Sequence, residues 1–297
     1  NTGYLTPGEV LALINYMNQM LLALIVVSNL VVIFTRAAAS AGRVNQVFDQ
    51  VSSLSQPEQA KTSPDQAEFI TFDKVDFRYE AKAGLSLENI SFTLKAGEFL
   101  GITGATGSGK STLTQLIPRF YDVAAGRVRV NGLDVRDWDL EKLRQQMAFV
   151  PQTSVLFHGT IRANLQWGDP TATDDACWQA LTTAQCREFV EKLPDRLDTM
   201  VMENGKNFSG GQKQRLTIAR ALIRKPRLLI LDDSLSALDY QTDLDLRKAL
   251  ARDLDSAIII ISQRVRSIQH ANQILVLDNG RLAGKGSHDD LLSTSPE

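Results

Sequence analysis

The chain has 297 residues, 43% of them hydrophobic and 22% charged, with a formal net charge of −2. This composition suits a globular protein with a sizeable core and excludes a disordered or low-complexity chain, and the charge balance gives no case for a nucleic-acid partner. The two cysteines, Cys177 and Cys186, form neither a disulfide framework nor a metal-site pattern and fit a reducing compartment.

The N-terminus differs from the rest. From Val10 to Thr35 run 26 residues without a charge, rich in Leu, Ile, Val and Met. That length predicts a bilayer-spanning helix over about residues 8–35, with some surplus for tilt. No Lys or Arg precedes the span, unlike a secretory leader. Arg36 and Arg43 follow it, which places its C-terminal side in the cytoplasm. Asn15, Asn18, Gln19, Ser28 and Asn29 interrupt it and predict one face turned to other helices or a wet pathway. A buried helix of a soluble protein is the alternative. Residues 36–50 read as a helical extension, so 1–50 reads as the end of a transmembrane domain. The chain opens on Asn1 rather than Met, and one helix cannot form a pathway. The expectation is therefore the C-terminal part of a longer polypeptide. Residues 51–66, rich in Ser, Gln, Pro and acidic residues, read as a linker before a domain over 67–297.

That domain opens with short alternating runs: Phe69–Phe72, Val75–Tyr79 and Ile90–Leu94 predict a mainly antiparallel sheet. Gly104, Ala105, Thr106, Gly107, Ser108, Gly109, Lys110 and Ser111 then match the phosphate-loop pattern G-x-x-x-x-G-K-[ST] without a mismatch. An apolar run, 99–103, precedes it, and Thr112–Ile117 follows as a helix start. In that strand–loop–helix setting the glycines let the backbone wrap a triphosphate with its N–H groups. Lys110 then reaches the β/γ-phosphates, and Ser111 offers its hydroxyl to Mg²⁺. A Gly-rich turn capping a helix is the plainer alternative. Downstream, Leu228–Leu231 and Ala257–Ile261 read as buried parallel strands, with a mostly helical stretch over 160–224 between the phosphate loop and these strands. The first of them ends in Asp232, a carboxylate suited to anchoring Mg²⁺ beside the phosphate loop.

Phe208, Ser209, Gly210, Gly211 and Gln212 open a helix with bare backbone N–H groups, a second anion site or an ordinary Ser-capped helix. This segment resembles the signature motif of ATP-binding cassette (ABC) proteins, with Phe208 where Leu is usual. The resemblance covers essentially the whole chain. It implies a P-loop α/β fold with a mixed core sheet, an antiparallel β subdomain and a helical signature subdomain, here preceded by one transmembrane helix. It also implies ATP and Mg²⁺ as ligands. Tyr79 matches the aromatic that stacks on adenine. Gln152 resembles the Q-loop glutamine, which reaches Mg²⁺ and the attacking water. Glu203 resembles the acidic residue of the exporter X-loop, which with Arg162 and its neighbours faces the coupling helices. Ser236, Ala237, Leu238 and Asp239 resemble the D-loop.

Two positions depart from the family pattern. Asp233 stands where the family has a catalytic Glu, and Gln263 where it has a switch His. A misplacement of about 1 Å can cost on the order of 10²-fold in rate. An amide cannot become cationic and oppose developing charge. Together they predict a site that binds ATP and hydrolyses it slowly, beside an intact signature that completes a partner's site. That pattern is similar to the degenerate half of a heterodimeric, multidrug-type exporter. It implies a second half-transporter, membrane lipid and a transported substrate as partners, with the cassette in the cytoplasm. An active homodimeric exporter, a soluble cassette protein and an importer subunit are the alternatives.

Overall fold

The computed structural model describes Gly3, residues 6–50, residues 54–57, Lys61 and residues 68–294; most of the expected linker, 51–66, lies outside the described residues. The chain divides into two compact units, Asn1–Ser55 and Gln56–Glu297.

The first unit is one helix, α1 (Pro7–Phe48). Thr6 starts it: its hydroxyl accepts the Glu9 N–H, and the Glu9 carboxylate accepts the Thr6 N–H at 2.7 Å. This reciprocal box, with Pro7 in the first turn, satisfies donors that a helix start leaves open. The uncharged span and the expected extension form a single unbroken helix with no buried residue. It is long and apolar enough to cross a membrane.

The second unit begins with β1 (Glu68–Phe77), β2 (Leu87–Lys95) and β3 (Phe99–Gly104), then helix α2 (Lys110–Leu116), β4 (Ala125–Val130) and β5 (Leu133–Asp134). Strands β2, β1, β4 and β5 form an antiparallel sheet in that order. Phe72 lies opposite Phe92, and their rings stack at 4.6 Å. Such a cross-strand aromatic pair fixes register as well as adding stability. Helix α3 (Leu140–Gln145) and strand β6 (Met147–Val150) follow. The helical part holds β7 (Gly159–Thr160), α4 (Ile161–Gln166), α5 (Asp174–Thr183), α6 (Arg187–Glu191), β8 (Met200–Val201) and α7 (Gly210–Leu222). It is helical as expected, apart from the β7–β8 pair. The chain then runs through β9 (Leu228–Asp232), α8 (Tyr240–Asp253), β10 (Ala257–Ile261), α9 (Val265–Ile268), β11 (Gln273–Asp278), β12 (Arg281–Gly286) and α10 (His288–Thr294).

The central sheet has the order β12-β11-β3-β10-β9-β6, parallel except for the edge strand β12. Every residue of β9 and β10 is buried. Their unbroken apolar runs are explained by packing on both faces. Leu229, Leu231, Ile258 and Ile260 join the core shared with the helical part. Leu228, Ile230, Ala257 and Ile259 join the core shared with the antiparallel sheet. Each buried Leu or Ile side chain contributes about 1.5–3 kcal/mol, against a total stability of about 5–15 kcal/mol. Ile230→Asp would bury a bare carboxylate there, enough to unfold the domain.

Parallel sheets bind ligands beyond the carboxyl ends of their strands. Here Gly104, Gln263, Asp232 and Gln152 stand at or just past the ends of β3, β10, β9 and β6, four strands that are neighbours in that order.

Candidate nucleotide-binding site

The loop between β3 and α2 is shaped by its glycines. Gly104 has φ 141°, and a Cβ there would sit 2.1 Å from the Leu277 carbonyl oxygen, so only glycine fits. Gly107, at φ 82°, faces open space. The Ser108 N–H donates to the Ala105 carbonyl at 3.2 Å, and the Ser108 carbonyl accepts the Gly280 N–H at 3.1 Å, which fixes the loop against the β11–β12 turn. The Ser108 hydroxyl is buried without a protein partner. Gly109 caps α2 with φ 99° and offers no side chain to its first N–H groups.

Lys110 folds back over the loop. Its ammonium donates to the Gly104 and Ala105 carbonyls at 3.0 and 2.7 Å. Burial pulls Lys110 below the usual lysine range, while Asp233 and Asp232 oppose that shift. Across the cleft, the Ser111 hydroxyl donates to Asp232 at 3.0 Å. Burial pushes Asp232 above the usual carboxylate range; the Ser111 hydrogen bond pulls it back, Asp233 adds to the rise and Lys110 opposes it. A nearby cation would relieve that burial cost.

The residues present fit a magnesium nucleotide. Ser111 and Asp232 place two hard oxygen donors together, and Mg²⁺ characteristically takes one or two carboxylates plus phosphate oxygens. Among the described residues no group of three or more His, Cys, Asp or Glu could hold a metal by itself. Phosphate oxygens and water would complete the shell.

Asp233 has φ 46°, in the left-handed region, and its N–H donates to the Ile261 carbonyl at 3.1 Å. Its carboxylate accepts the Gln152 side-chain amide at 3.1 Å. Gln263 is exposed, with its amide 3.4 Å from the Thr106 hydroxyl. The structure thus brings Thr106, Gln152, Asp232, Asp233 and Gln263 to one edge of the sheet. The three histidines, His158, His270 and His288, lie elsewhere in the chain.

Tyr79 lies just past the end of β1 rather than inside a strand. Its hydroxyl pairs with Thr112 at 2.8 Å, and Phe77 and Tyr121 meet its ring edge-on at 4.9 and 5.2 Å. Half of Tyr79 is exposed to a cleft of about 430 Å³ lined also by Ser86, Gly107, Lys110, Asn279 and Gly280. Sequence reading missed Tyr121, Ser86 and the Asn279–Gly280 turn. Asn-Gly between alternating runs is a legible hairpin signal, and both residues have positive φ. Nothing in the sequence places that turn beside Tyr79.

The second loop cluster lies on α7. Ser209 caps it: the Ser209 hydroxyl accepts the Gln212 N–H at 3.3 Å, and the Gln212 side chain accepts the Ser209 N–H at 2.9 Å. Ser209 and Gly210 are exposed. Phe208 is buried with its ring 6.2 Å from Phe189, so it anchors the loop as another apolar residue would. A Cβ on Gly211 would meet the Ala237 carbonyl oxygen at 3.4 Å. In the Ser236–Asp239 loop, Ser236 donates its hydroxyl to the Asp233 carbonyl at 2.7 Å, Leu238 is buried, and Asp239 caps α8. Glu203 is exposed on a single turn over Glu203–Gly205. Arg162, also in the expected coupling region, is already held by Asp198 and Asp174.

A family model described as "ABC transporter" matches residues 87–236. The chain is 44% identical over 294 residues to the uncharacterized ABC transporter ATP-binding protein YfiB of Bacillus subtilis, covering 99% of this chain and 51% of that protein. It is 35% identical over 292 residues to the probable multidrug resistance ABC transporter ATP-binding/permease protein YheI of the same organism, covering 98% and 50%. A solved bacterial Atm1-family ABC exporter with ATP bound aligns with a TM-score of 0.81 at 35% identity, over 87% of this chain and 45% of that one. The chain spans about half the length of the relatives it matches. It belongs to the ABC transporter family, and its second unit is an ABC nucleotide-binding domain.

Proposed function

We propose that the chain is the ATP-binding part of an ABC exporter subunit, with residues 1–50 ending a transmembrane domain and 67–297 forming the cassette. A helix of 42 residues is roughly 60 Å long, about twice the hydrocarbon thickness of a bilayer. Its uncharged half spans the membrane, and the half carrying Arg36 and Arg43 extends into the cytoplasm with the cassette. Tyr79 stacks on adenine, residues 104–112 hold the phosphates, and Ser111, Asp232 and Gln152 face Mg²⁺. When bound, Mg²⁺ neutralises charge on the β- and γ-phosphates. ATP closes this domain on a second half-transporter, and closure rearranges the membrane helices to move a substrate. Exposed Glu203 lies on the side that receives the coupling helices.

This chain's own site hydrolyses slowly, while Ser209–Gln212 completes the active site of a different partner. One contrast carries this reading. The binding residues and the signature are complete, whereas the two hydrolytic positions hold Asp233 and Gln263. Gln263 can hydrogen-bond a γ-phosphate but cannot carry a proton's charge. The second reading, an active homodimer with Asp233 as base, draws on the Gln152–Asp233 hydrogen bond, which already fixes the orientation of that carboxylate. Restoring both positions separates them. With the partner's own site disabled, Asp233→Glu with Gln263→His raises the residual ATP turnover of the purified transporter about tenfold or more if the site is slow by design. Unchanged turnover overturns the proposal.

A further inference from the structure

Past the end of β10, the chain closes a ring of hydrogen bonds. The Ile261 carbonyl accepts the Asp233 N–H at 3.1 Å. The Asp233 carbonyl accepts the Ser236 hydroxyl at 2.7 Å. The Ser236 carbonyl accepts one nitrogen of the Arg264 guanidinium at 2.8 Å, and the Leu238 carbonyl accepts another at 3.1 Å. The Arg264 N–H donates to the Ser262 hydroxyl at 3.0 Å, one residue past Ile261. The ring joins three segments: the Asp233 turn, the Ser236–Asp239 loop and the strand end that carries Gln263. Arg264 is its one long-reaching member, and both of its side-chain bonds go to backbone carbonyls rather than to a carboxylate.

We propose that Arg264 is a positioning residue whose forked guanidinium holds the Ser236–Asp239 loop in register with Gln263 and Asp233, so that the three segments shift as one body. The geometry suits arginine alone. A planar fork meets two carbonyls two residues apart, whereas a lysine ammonium is a point donor on a mobile stem. Bonds from a charged donor are also stronger than neutral ones. Apart from buried Leu238 and the Asp239 cap of α8, few side chains tie these segments to one another. Gln263 is exposed with a long contact to Thr106, and Asp233 sits in the left-handed region. The inference rests on reading these loops as the ones that act on the nucleotide, and is independent of which subunit hydrolyses.

The test compares Arg264→Lys and Arg264→Ala with the unchanged full chain in detergent, by amide hydrogen exchange and by ATP turnover. In Arg264→Ala the amides of 236–239 and 262–264 exchange faster together, by about tenfold, while those of the phosphate loop and α7 keep their protection. The chain's own slow turnover, read without a partner subunit, falls about tenfold in kcat with KM for ATP within twofold, and Arg264→Lys lies between. Unchanged exchange at 236–239, faster exchange spread evenly over the domain, or an unchanged kcat overturns the proposal. None of these outcomes depends on the effect of restoring Glu and His at the two altered positions.

Discussion

Two helix starts in this domain point backbone N–H groups outward, and they are finished differently. Helix α2 begins at Gly109 with no side-chain cap, so no side chain claims its first N–H groups, and Lys110 has only loop carbonyls to leave for an anion. Helix α7 begins at Ser209, whose capping box with Gln212 already satisfies donors at both ends. The first is a phosphate cradle in its own right. The second has to exchange an internal hydrogen bond for an external one, which suits a site completed only when another surface arrives. The residues around them differ in the same sense. On the proposed reading, the cradle keeps its binding residues, the positions proposed for hydrolysis hold Asp233 and Gln263, and α7 keeps Ser209–Gln212.

The largest effect that could break this contrast comes from Gly104→Ala. Its Cβ would collide with the Leu277 carbonyl at 2.1 Å, and φ 141° is hostile to any side chain. ATP affinity, read by a fluorescent nucleotide, should fall at least about 100-fold, with a lower melting temperature. Ser209→Arg should come next. It places a cation and a bulky side chain at a helix N-terminus, where both are unfavourable. Turnover of the assembled transporter should nearly vanish, while ATP binding to this chain's own cradle stays within about twofold.

Asp232→Asn sharpens the comparison from the cradle side. Burial holds Asp232 above the usual carboxylate range, so its ionised form costs stability at neutral pH and that cost fades as pH falls through its raised pKa. The nucleotide-free variant should melt a few degrees higher at pH 7, with the gain shrinking on acidification, and should lose the stabilisation that Mg²⁺ and ATP confer. The smallest effect concerns pH. With Gln263 in place of an imidazole, ATP turnover at this site should be nearly flat between about pH 6 and 8, and Gln263→His should introduce a dependence there.

Much of this was legible in the sequence where the backbone itself dictates residue type. Gly104 and Gly109 mark positive φ, Ser209 marks an N-cap, and the unbroken apolar runs of β9 and β10 mark strands covered on both faces. What the sequence hid was adjacency. Strand β10 lies between β3 and β9, although β9 precedes it in the chain and β3 lies far upstream of both. That insertion places Gln263 near Thr106 and Arg264 against the Ser236–Asp239 loop. Tyr79 read as a strand residue because its run alternates through Val75 and Phe77. The strand in fact stops at Phe77, and Tyr79 turns to bond Thr112. The pairing of Arg162 with Asp198 and Asp174 was likewise invisible, since two separated segments supply its partners.

On the proposed reading, this chain binds ATP while its partner's site carries most of the hydrolysis. The most direct measurement is the ATP turnover of the assembled transporter carrying Asp233→Asn in this chain alone. Turnover should stay within about twofold of the unchanged protein, since the signature at Ser209 still completes the partner's site. Loss of most of the turnover would contradict it and make Asp233 the working base.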